Sequence, residues 1–391
     1  MFGKELTAAM IKTFGIAFGE PGPTPTVPLQ QILEMFKQMK KGGTIFLPPG
    51  GYEIKDTLHI QQSGIAIVGI GKHEAKLKLI QDIINGPAVK VSADDCILEN
   101  LRIDDPSVSE DDRSVSELIY KSKYKSKGGV LIEGLRCEVR SVMVSLFDKG
   151  TMAGDLPYGI KVNSLHCAIF EPYIQHCERG IVISQHQNVI YGGSIISDNP
   201  NDEKKWTDGK PRQKGTPRFC GIEIGDKATP NNNTVIGTDI EIHSKQAHVY
   251  FSGGWANRFT GIRLEGINDN NLIEVKDGGH NHFLISRASV RQFIVNDPSH
   301  TCTFEIAHYD YGYKEKNNKC LHKKKENPQV VVGAQAMPVV PRPGCKEPPL
   351  AQDFPVGASV WYSKLNKPIW SDGKDWRDAN GDTVREYLKA K

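Results

Sequence analysis

Six carboxylates lie where apolar runs give way to polar, loop-like sequence. Hydrolysis of a glycosidic bond needs two carboxyl groups, about 5–5.5 Å apart for retention of configuration or about 6.5–9.5 Å apart for inversion. The candidate catalytic residues are Asp104, Asp105, Asp148, Asp155, Glu178 and Asp198. For any one of them, a solvated turn or a structural role is the simpler interpretation.

Aromatic rings and cations occur in the same loop-like stretches. Ring faces stack on sugar rings, and nearby cations attract an anionic glycan. The candidate substrate-binding residues are Tyr120, Lys123, Tyr124, Lys204, Lys205, Trp206 and Arg212. The competing interpretation is an ordinary solvated loop of alternating charge. A β-eliminating lyase would instead use a base such as Lys149, His176 or Tyr158 beside a cation or Ca²⁺, and no feature of the sequence selects that chemistry.

One sequence motif recurs eight times along the chain and predicts the secondary-structure elements that carry these residues. It consists of an apolar triplet, a short polar turn, a Cys or Asn, and an apolar residue two positions later. The Cys/Asn positions are Cys96, Cys137, Cys167, Asn188, Asn233, Asn257, Asn281 and Cys302. The shortest spacing between them is 21 residues, which suits three short strands and three turns per coil. The sequence therefore predicts an all-β fold, a right-handed parallel β-helix.

The Cys/Asn column itself is predicted to be structural. Equivalent residues of stacked coils lie about 4.8 Å apart, so the asparagines can hydrogen-bond along the stack and the cysteines can fill the same turn as buried thiols. The spacing of the cysteines matches no zinc pattern. We expect neither a metal nor a cofactor.

The repeat also locates three insertions. The Cys/Asn spacing rises to 41, 30 and 45 residues in three of the coils. Most of the extra chain precedes the apolar triplet of the next coil, at residues 104–128, 148–158 and 197–219. Because coils stack in register, these loops are expected to leave from one edge and to lie close together. Long loops in a solenoid usually carry function.

The start of the solenoid carries a family resemblance. An amphipathic helix beginning at Leu29 is predicted to cap the open apolar end, and the run GGTIFLPPGGYEI follows from Gly42 to Ile54. This order resembles the first coil of the pectate-lyase-like superfamily, and the resemblance extends over residues 29–310. That superfamily includes lyases, hydrolases and inactive virion parts. No catalytic residue of the superfamily can be placed on this chain.

The end of the chain divides into two further pieces. Residues 311–353 are Lys-rich and then Pro-rich, which predicts a linker. Residues 354–391 are predicted to form a small β module, whose runs GASVWY, KPIW and DWRDANG resemble a module at the C-termini of phage tail and fibre proteins. Its tryptophans are expected to form a core, with sugar stacking as the alternative. The resemblance implies a homotrimer closed by this module.

Charge and apolar content narrow the partners and the location that we expect for the protein. The formal net charge is +3, which gives no reason to expect a nucleic-acid partner, and no apolar run is long enough for membrane insertion. The first residues make a poor signal peptide. We therefore expect a virion protein made in the host cytoplasm, with residues 1–28 as an attachment peptide to other virion proteins.

Three functions remain open at this level. The first is a phage tail spike or fibre protein that binds, and in one version depolymerises, a bacterial surface polysaccharide. The second is a non-catalytic structural or receptor-binding virion protein such as a fibre or capsid decoration. The third is a free bacterial pectinase-like enzyme, against which the poor signal peptide and the tail-like C-terminus argue.

Overall fold

The computed structural model describes residues 3–104, 123–145, 147, 156–197, 220–226, 228–242, 247–266, 273–290, 295–296, 301–307, 330–332, 359–362, 367–372 and 374–377. Within them, strands form one sheet of nineteen, one of nine and one of three. Neither helix in these ranges has the length and apolarity required to cross a membrane. The parallel β-helix predicted from the repeat is confirmed, because every pairing in the two larger sheets is parallel.

The elements follow one another in short, regular steps. The helices are α1 (Lys4–Phe14) and α2 (Leu29–Gln38). The strands are β1 (Ile16–Phe18), β2 (Gly43–Leu47), β3 (Gly50–Ile54), β4 (Leu58–Ile60), β5 (Ile65–Gly69), β6 (Ala75–Leu79), β7 (Val89–Val91), β8 (Ile97–Glu99), β9 (Leu101–Asp104), β10 (Gly128–Ile132), β11 (Glu138–Arg140), β12 (Met143–Ser145), β13 (Tyr158–Val162), β14 (Ala168–Phe170), β15 (Tyr173–Gln175), β16 (Arg179–Ile183), β17 (Val189–Tyr191), β18 (Ser194–Ser197), β19 (Cys220–Ile224), β20 (Thr234–Ile236), β21 (Asp239–Ile242), β22 (Val249–Phe251), β23 (Arg258–Gly266), β24 (Ile273–Val275), β25 (His282–Val290), β26 (Val295–Asn296), β27 (Thr303–Ile306), β28 (Val330–Val332), β29 (Ser359–Tyr362), β30 (Lys367–Ser371) and β31 (Trp376–Arg377).

From β2 to β21, each coil contributes two consecutive strands to the nineteen-stranded sheet and one to the nine-stranded sheet; in the next two coils the single nine-residue strands β23 and β25 span both positions of the larger sheet. Strand side chains alternate in direction, so every second residue points into the solenoid. The apolar triplets stack there in register: Val89 pairs with Val130, which pairs with Ile160, and all three are fully buried. The interior is therefore a set of continuous apolar columns, which explains why the apolar triplet repeats in the sequence.

The Cys/Asn column provides a buried hydrogen-bond acceptor for the coil before it. The backbone N–H of Cys167 donates to Asn188 Oδ1 at 2.8 Å, and that of Asn188 donates to Asn233 Oδ1 at 2.8 Å. The thiol of Cys167 occupies the same place and donates to the carbonyl of Gly134, one coil earlier. Cys and Asn can share this column because each combines a donor and an acceptor in a small side chain. Cys96, Cys137, Cys167 and Cys302 are all buried thiols, as expected for a structural role.

The N-terminal end of the solenoid is closed by helix α2, as predicted. Its buried face includes Ile32 and Phe36, and the Gln30 side chain accepts a hydrogen bond from the backbone N–H of His59 on the edge strand β4. The expected boundary at residue 28, however, does not separate two structural units. Strand β1 pairs with β2, and Ile11 of α1 is fully buried, so residues 4–18 extend the solenoid. The attachment role of this segment remains a prediction.

The C-terminal boundary also differs from the expected one. Strand β28, within the predicted linker of residues 311–353, pairs in parallel with β27 and continues the large sheet. The last strands, β29 to β31, form an antiparallel sheet of their own, as expected for a small β module. Trp376 in this module is 5% exposed. Burial of this ring favours the core interpretation for Trp376.

Candidate functional site

The three predicted insertions leave and re-enter the solenoid along one edge. The strands that precede them, β9, β12 and β18, belong to one parallel ladder that also includes β15. The strands that follow them, β10, β13 and β19, belong to a ladder that also includes β16. The anchoring points of the loops are therefore aligned. Most candidates within these loops lie outside the described residues and remain predictions: Asp105, Asp148, Asp155, Asp198, Tyr120, Lys204, Lys205, Trp206 and Arg212.

Asp104 is described, and its carboxyl group is held by neighbouring side chains. Ser145, opposite it on the next strand, donates to Oδ1 at 2.6 Å, and Arg102 forms an ion pair with Oδ2. Asp104 is only 4% exposed. Both oxygens are thus occupied within the sheet, which favours a structural role for this residue.

Glu178 lies between the backbones of adjacent coils and is fully buried. Its N–H donates to the carbonyl of Phe147, and its carbonyl accepts from the N–H of Cys220. The register of β9, β12 and β15 places its coil two rungs from that of Asp104, which is about 10 Å along the stack. Asp104 and Glu178 therefore do not form a pair of neighbouring carboxyl groups.

Lys123 and Tyr124 are the described members of the predicted binding set. Lys123 is exposed, and its Nζ lies 5.1 Å from the centroid of the Tyr124 ring. The adjacent backbone is anchored, because Lys125 N–H donates to Asp82 Oδ1 at 2.9 Å. A cation beside a partly buried ring is thus present at the end of the first insertion.

A charge network that the sequence did not indicate lies along strands β13, β16 and β19 of the nine-stranded sheet. Arg179 Nη1 donates to Glu223 Oε2 at 3.0 Å and to Asp226 Oδ1 at 3.1 Å, and Lys161 also pairs with Asp226. Arg179 and Glu223 are mostly buried. Burial would raise the pKa of Asp226, but the hydrogen bond from Lys161 and the charge of Arg179 lower it overall. The Arg179 and Glu223 side chains are too buried for a ligand on the surface to reach, so this network is assigned a structural role.

A cluster of charged side chains lies on the outward face of the nineteen-stranded sheet and consists of Asp239, Glu241, Arg263 and Glu265. Asp239 and Glu241 alternate with buried Ile240 on β21, while Arg263 and Glu265 alternate with buried Leu264 on β23. Asp239 pairs with Arg263 across the two strands, and Glu241 pairs with Glu265. Consequently the polar side chains of two neighbouring rungs point to the same side.

Arg263 links the carboxyl groups of Asp239 and Glu265. Its Nη1 donates to Asp239 Oδ2 at 3.2 Å, and its Nη2 pairs with Glu265. The side chains of Asp239 and Glu265 are 31% and 33% exposed. They are therefore within reach of a ligand lying on this face.

Asp239 differs from an ordinary surface acid in its pKa. Burial raises the pKa of Asp239; the charges of Arg263 and Arg287 oppose this rise, whereas the charges of Glu265 and Glu241 add to it. Asp239 therefore keeps its proton to a higher pH than an ordinary aspartate. A carboxyl group with a raised pKa is suited to act as a general acid.

The backbone register makes Asp239 and Glu265 diagonal neighbours, one rung apart and two residues apart along the strand. Their Cα atoms are therefore about 8 Å apart. Inverting hydrolysis requires carboxyl groups about 6.5–9.5 Å apart, a separation that side chains starting from these two positions can adopt. The cluster also borders the aligned loop ends, because Glu241 pairs with Ile196, one residue before the end of β18.

Comparisons with known proteins give structural similarity only. No protein-family model matches the chain, and no curated protein matches it. Among solved structures, ORF18 of Geobacillus virus E2 is similar, with a TM-score of 0.51 and 14% identity, covering 79% of this chain and 60% of that protein. DFA-IIIase from Arthrobacter chlorophenolicus A6 has a TM-score of 0.47 and 14% identity, covering 70% and 67%. The Dettilon tailspike protein has a TM-score of 0.39 and 13% identity, covering 68% and 64%.

Proposed function

We propose that the chain is a bacteriophage virion appendage that binds a bacterial surface polysaccharide along the outward face of the large sheet and hydrolyses it. The observation that carries the proposal is the Asp239–Glu265 pair, two outward carboxylates on neighbouring rungs that share Arg263 beside the aligned loop ends. A repetitive stack suits a repetitive polymer, because equivalent contacts recur at a fixed rise. The virion setting rests on the resemblance of the C-terminal runs to phage tail modules, and the fold shared with a Geobacillus virus protein is consistent with it.

The reaction requires only water in addition to the glycan. Protonated Asp239 donates its proton to the glycosidic oxygen as the bond from that oxygen to the anomeric carbon breaks. Glu265 accepts a proton from a water molecule, whose oxygen attacks the anomeric carbon from the opposite face. Arg263 contacts both carboxyl groups and fixes their positions relative to each other. The products are two shorter glycans, the new reducing end having inverted configuration.

The test uses a panel of purified bacterial capsular polysaccharides and lipopolysaccharide O-antigens, with product sizing by size-exclusion chromatography. Cleavage to discrete oligosaccharides is expected, with inverted configuration at the new anomeric centre by NMR. Asp239→Asn and Glu265→Gln should each lower the rate about 100-fold or more. The matched control is Glu274→Gln, an outward carboxylate on the nine-stranded sheet, which should retain full activity. Unchanged cleavage by either site variant would refute the assignment.

A non-catalytic receptor-binding role is the second candidate. The observation in its favour is that Arg263 forms ion pairs with both carboxyl groups, as in a structural salt-bridge ladder. Under this alternative the polymer elutes with the protein and keeps its size. Homotrimer formation, which we propose with the β29–β31 module as its closure, is tested separately by light scattering of the intact protein.

A further inference from the structure

An exposed tryptophan lies on an edge of the solenoid that is distinct from the carboxylate face. Trp255 is 41% exposed and sits in the turn before β23, two residues before the column residue Asn257. The corresponding turn positions of the neighbouring coils are Asn231 and Gly279, which form bridges with it. Neither neighbour is aromatic, so this large ring belongs to no repeating core column.

The backbone around Trp255 holds the ring in a defined place. The Trp255 N–H donates to the carbonyl of Pro230 at 3.2 Å, and the Gly279 N–H donates to the carbonyl of Gly254 at 3.1 Å. Residue 279 must be glycine for this arrangement, because a Cβ there would lie 2.9 Å from the indole ring. The indole is thus packed along the next coil, although much of it remains accessible.

A second ring lies beside the indole. The imidazole of His280 has its centroid 5.7 Å from that of the indole, and the two ring planes are tilted by 38°. The Thr301 Oγ1 accepts a hydrogen bond from the backbone N–H of His280 at 3.0 Å. The two rings therefore form a corner, and the polar groups beside it include the imidazole nitrogens and the amide of Asn231, the residue that pairs with Trp255 in the preceding coil.

We propose that the Trp255–His280 corner is a sugar-binding subsite that takes one pyranose ring of a glycan. The C–H bonds on one face of a pyranose match the negative face of an indole, and the hydroxyl groups at its rim match amide and imidazole partners. A purely apolar partner would leave those polar groups unsatisfied. This inference rests on the proposed glycan binding, but it involves none of the residues assigned to cleavage.

The subsite would act by holding the polymer rather than by cleaving it. A second contact on the same molecule raises the effective concentration of the polymer at the first. Loss of the Trp255 ring should therefore weaken binding of long chains more than it slows cleavage of short ones. This difference separates the subsite from the carboxylate pair.

The experiment uses the full chain labelled with 5-fluorotryptophan, so that each tryptophan gives a ¹⁹F resonance. Trp255→Phe identifies the resonance of residue 255, and the probes are the polysaccharide panel described above together with the methyl glycosides of its component sugars. The resonance of Trp255 is expected to move on titration, and Trp255→Ala should weaken polymer binding by about 10-fold. The control is Phe14→Ala, which removes an exposed ring of helix α1 outside the large sheet and should leave binding unchanged.

The outcomes distinguish this inference from the proposed function. A shift of the Trp255 resonance without cleavage would support the subsite and refute the hydrolase. Cleavage with an unmoved resonance and unchanged binding by Trp255→Ala would overturn the subsite and leave the hydrolase in place. An altered oligomeric mass in Trp255→Ala, with glycan binding intact, would assign the ring to a protein contact and also overturn the inference.

Discussion

Replacement of Asn257 by alanine tests the buried column that holds the coils in register. Asn257 Oδ1 accepts hydrogen bonds from the backbone N–H of Asn233 at 3.0 Å and from its Nδ2 at 2.9 Å. Both asparagines are 1% exposed, so water cannot take over these bonds without opening the turn. Two buried donors would be left without an acceptor, at about 1–3 kcal/mol each, which gives a loss of about 2–6 kcal/mol.

Asn257→Cys is the informative companion to this variant. The column already accommodates Cys137 and Cys167, where each thiol donates to a carbonyl of the preceding coil. A thiol at residue 257 keeps a weak acceptor in place, so its cost should be only about 1–2 kcal/mol. We expect the native protein to be the most stable, Asn257→Cys to be intermediate and Asn257→Ala to be the least stable.

Hydrogen exchange is the suitable assay, because large β-structures often unfold irreversibly and their melting temperatures then report rates. The amide of Asn233 should exchange at least about 30-fold faster in Asn257→Ala than in the native protein, which corresponds to the lower limit of 2 kcal/mol. Amides of β4 and β7, many coils away, should be unaffected because solenoid coils interact mainly with their neighbours. Equal protection in Asn257→Ala and native protein, or equal damage by Cys and Ala, would refute the acceptor argument.

Three further predictions concern the core, the charge network and the acid. Phe283 stacks on Phe259 with ring centroids 4.7 Å apart and is fully buried, so Phe283→Ala should cost about 3–5 kcal/mol in unfolding experiments and Phe283→Leu clearly less. Arg179→Met leaves Glu223 buried without its cation and should cost about 3–5 kcal/mol, whereas adding Glu223→Gln should recover part of that loss. Burial raises the pKa of Asp239, so cleavage should persist above the usual carboxyl range and fall as Asp239 loses its proton. Glu241→Gln removes a negative charge that adds to this rise, and the alkaline limb of the pH–rate profile should then move to lower pH.

The fold could be predicted from the sequence because the same motif, and therefore the same coil, recurs eight times. One apolar triplet would be ambiguous, but eight triplets, each followed by a polar turn and a Cys or Asn, leave few alternatives. The segments that escaped prediction, α1, β1 and β28, lie outside the repeat. Strands β1 and β28 have only three residues each, too few for a period of two to be visible. Helix α1 is interrupted by Lys and Glu, so its single buried face did not stand out.

The candidate site was harder to predict, because Asp239 and Glu265 lie outside the three insertions. Asp104 lies at a loop end, a position that favours function, but the register places Ser145 opposite it and Arg102 beside it, and both occupy its oxygens. Asp239 and Glu265 are 26 residues apart in the chain and become neighbours only through the pairing of β21 with β23. The alternation of charged and apolar residues there is an ordinary strand signal, so chemistry becomes visible only when the register is known.

The regular rise of the solenoid also restricts the mechanism that its outward face can support. Residues directly opposite each other on adjacent rungs are about 4.8 Å apart, and diagonal neighbours are about 8 Å apart. The first spacing approaches that of retaining hydrolysis and the second falls in the range for inversion. In the Asp239–Glu265 cluster, the opposite pair is Glu241 with Glu265, while Arg263 bridges the diagonal pair. The stereochemistry of the product therefore identifies the catalytic pair. Inversion would assign catalysis to Asp239 and Glu265, whereas retention would assign it to Glu241 and Glu265.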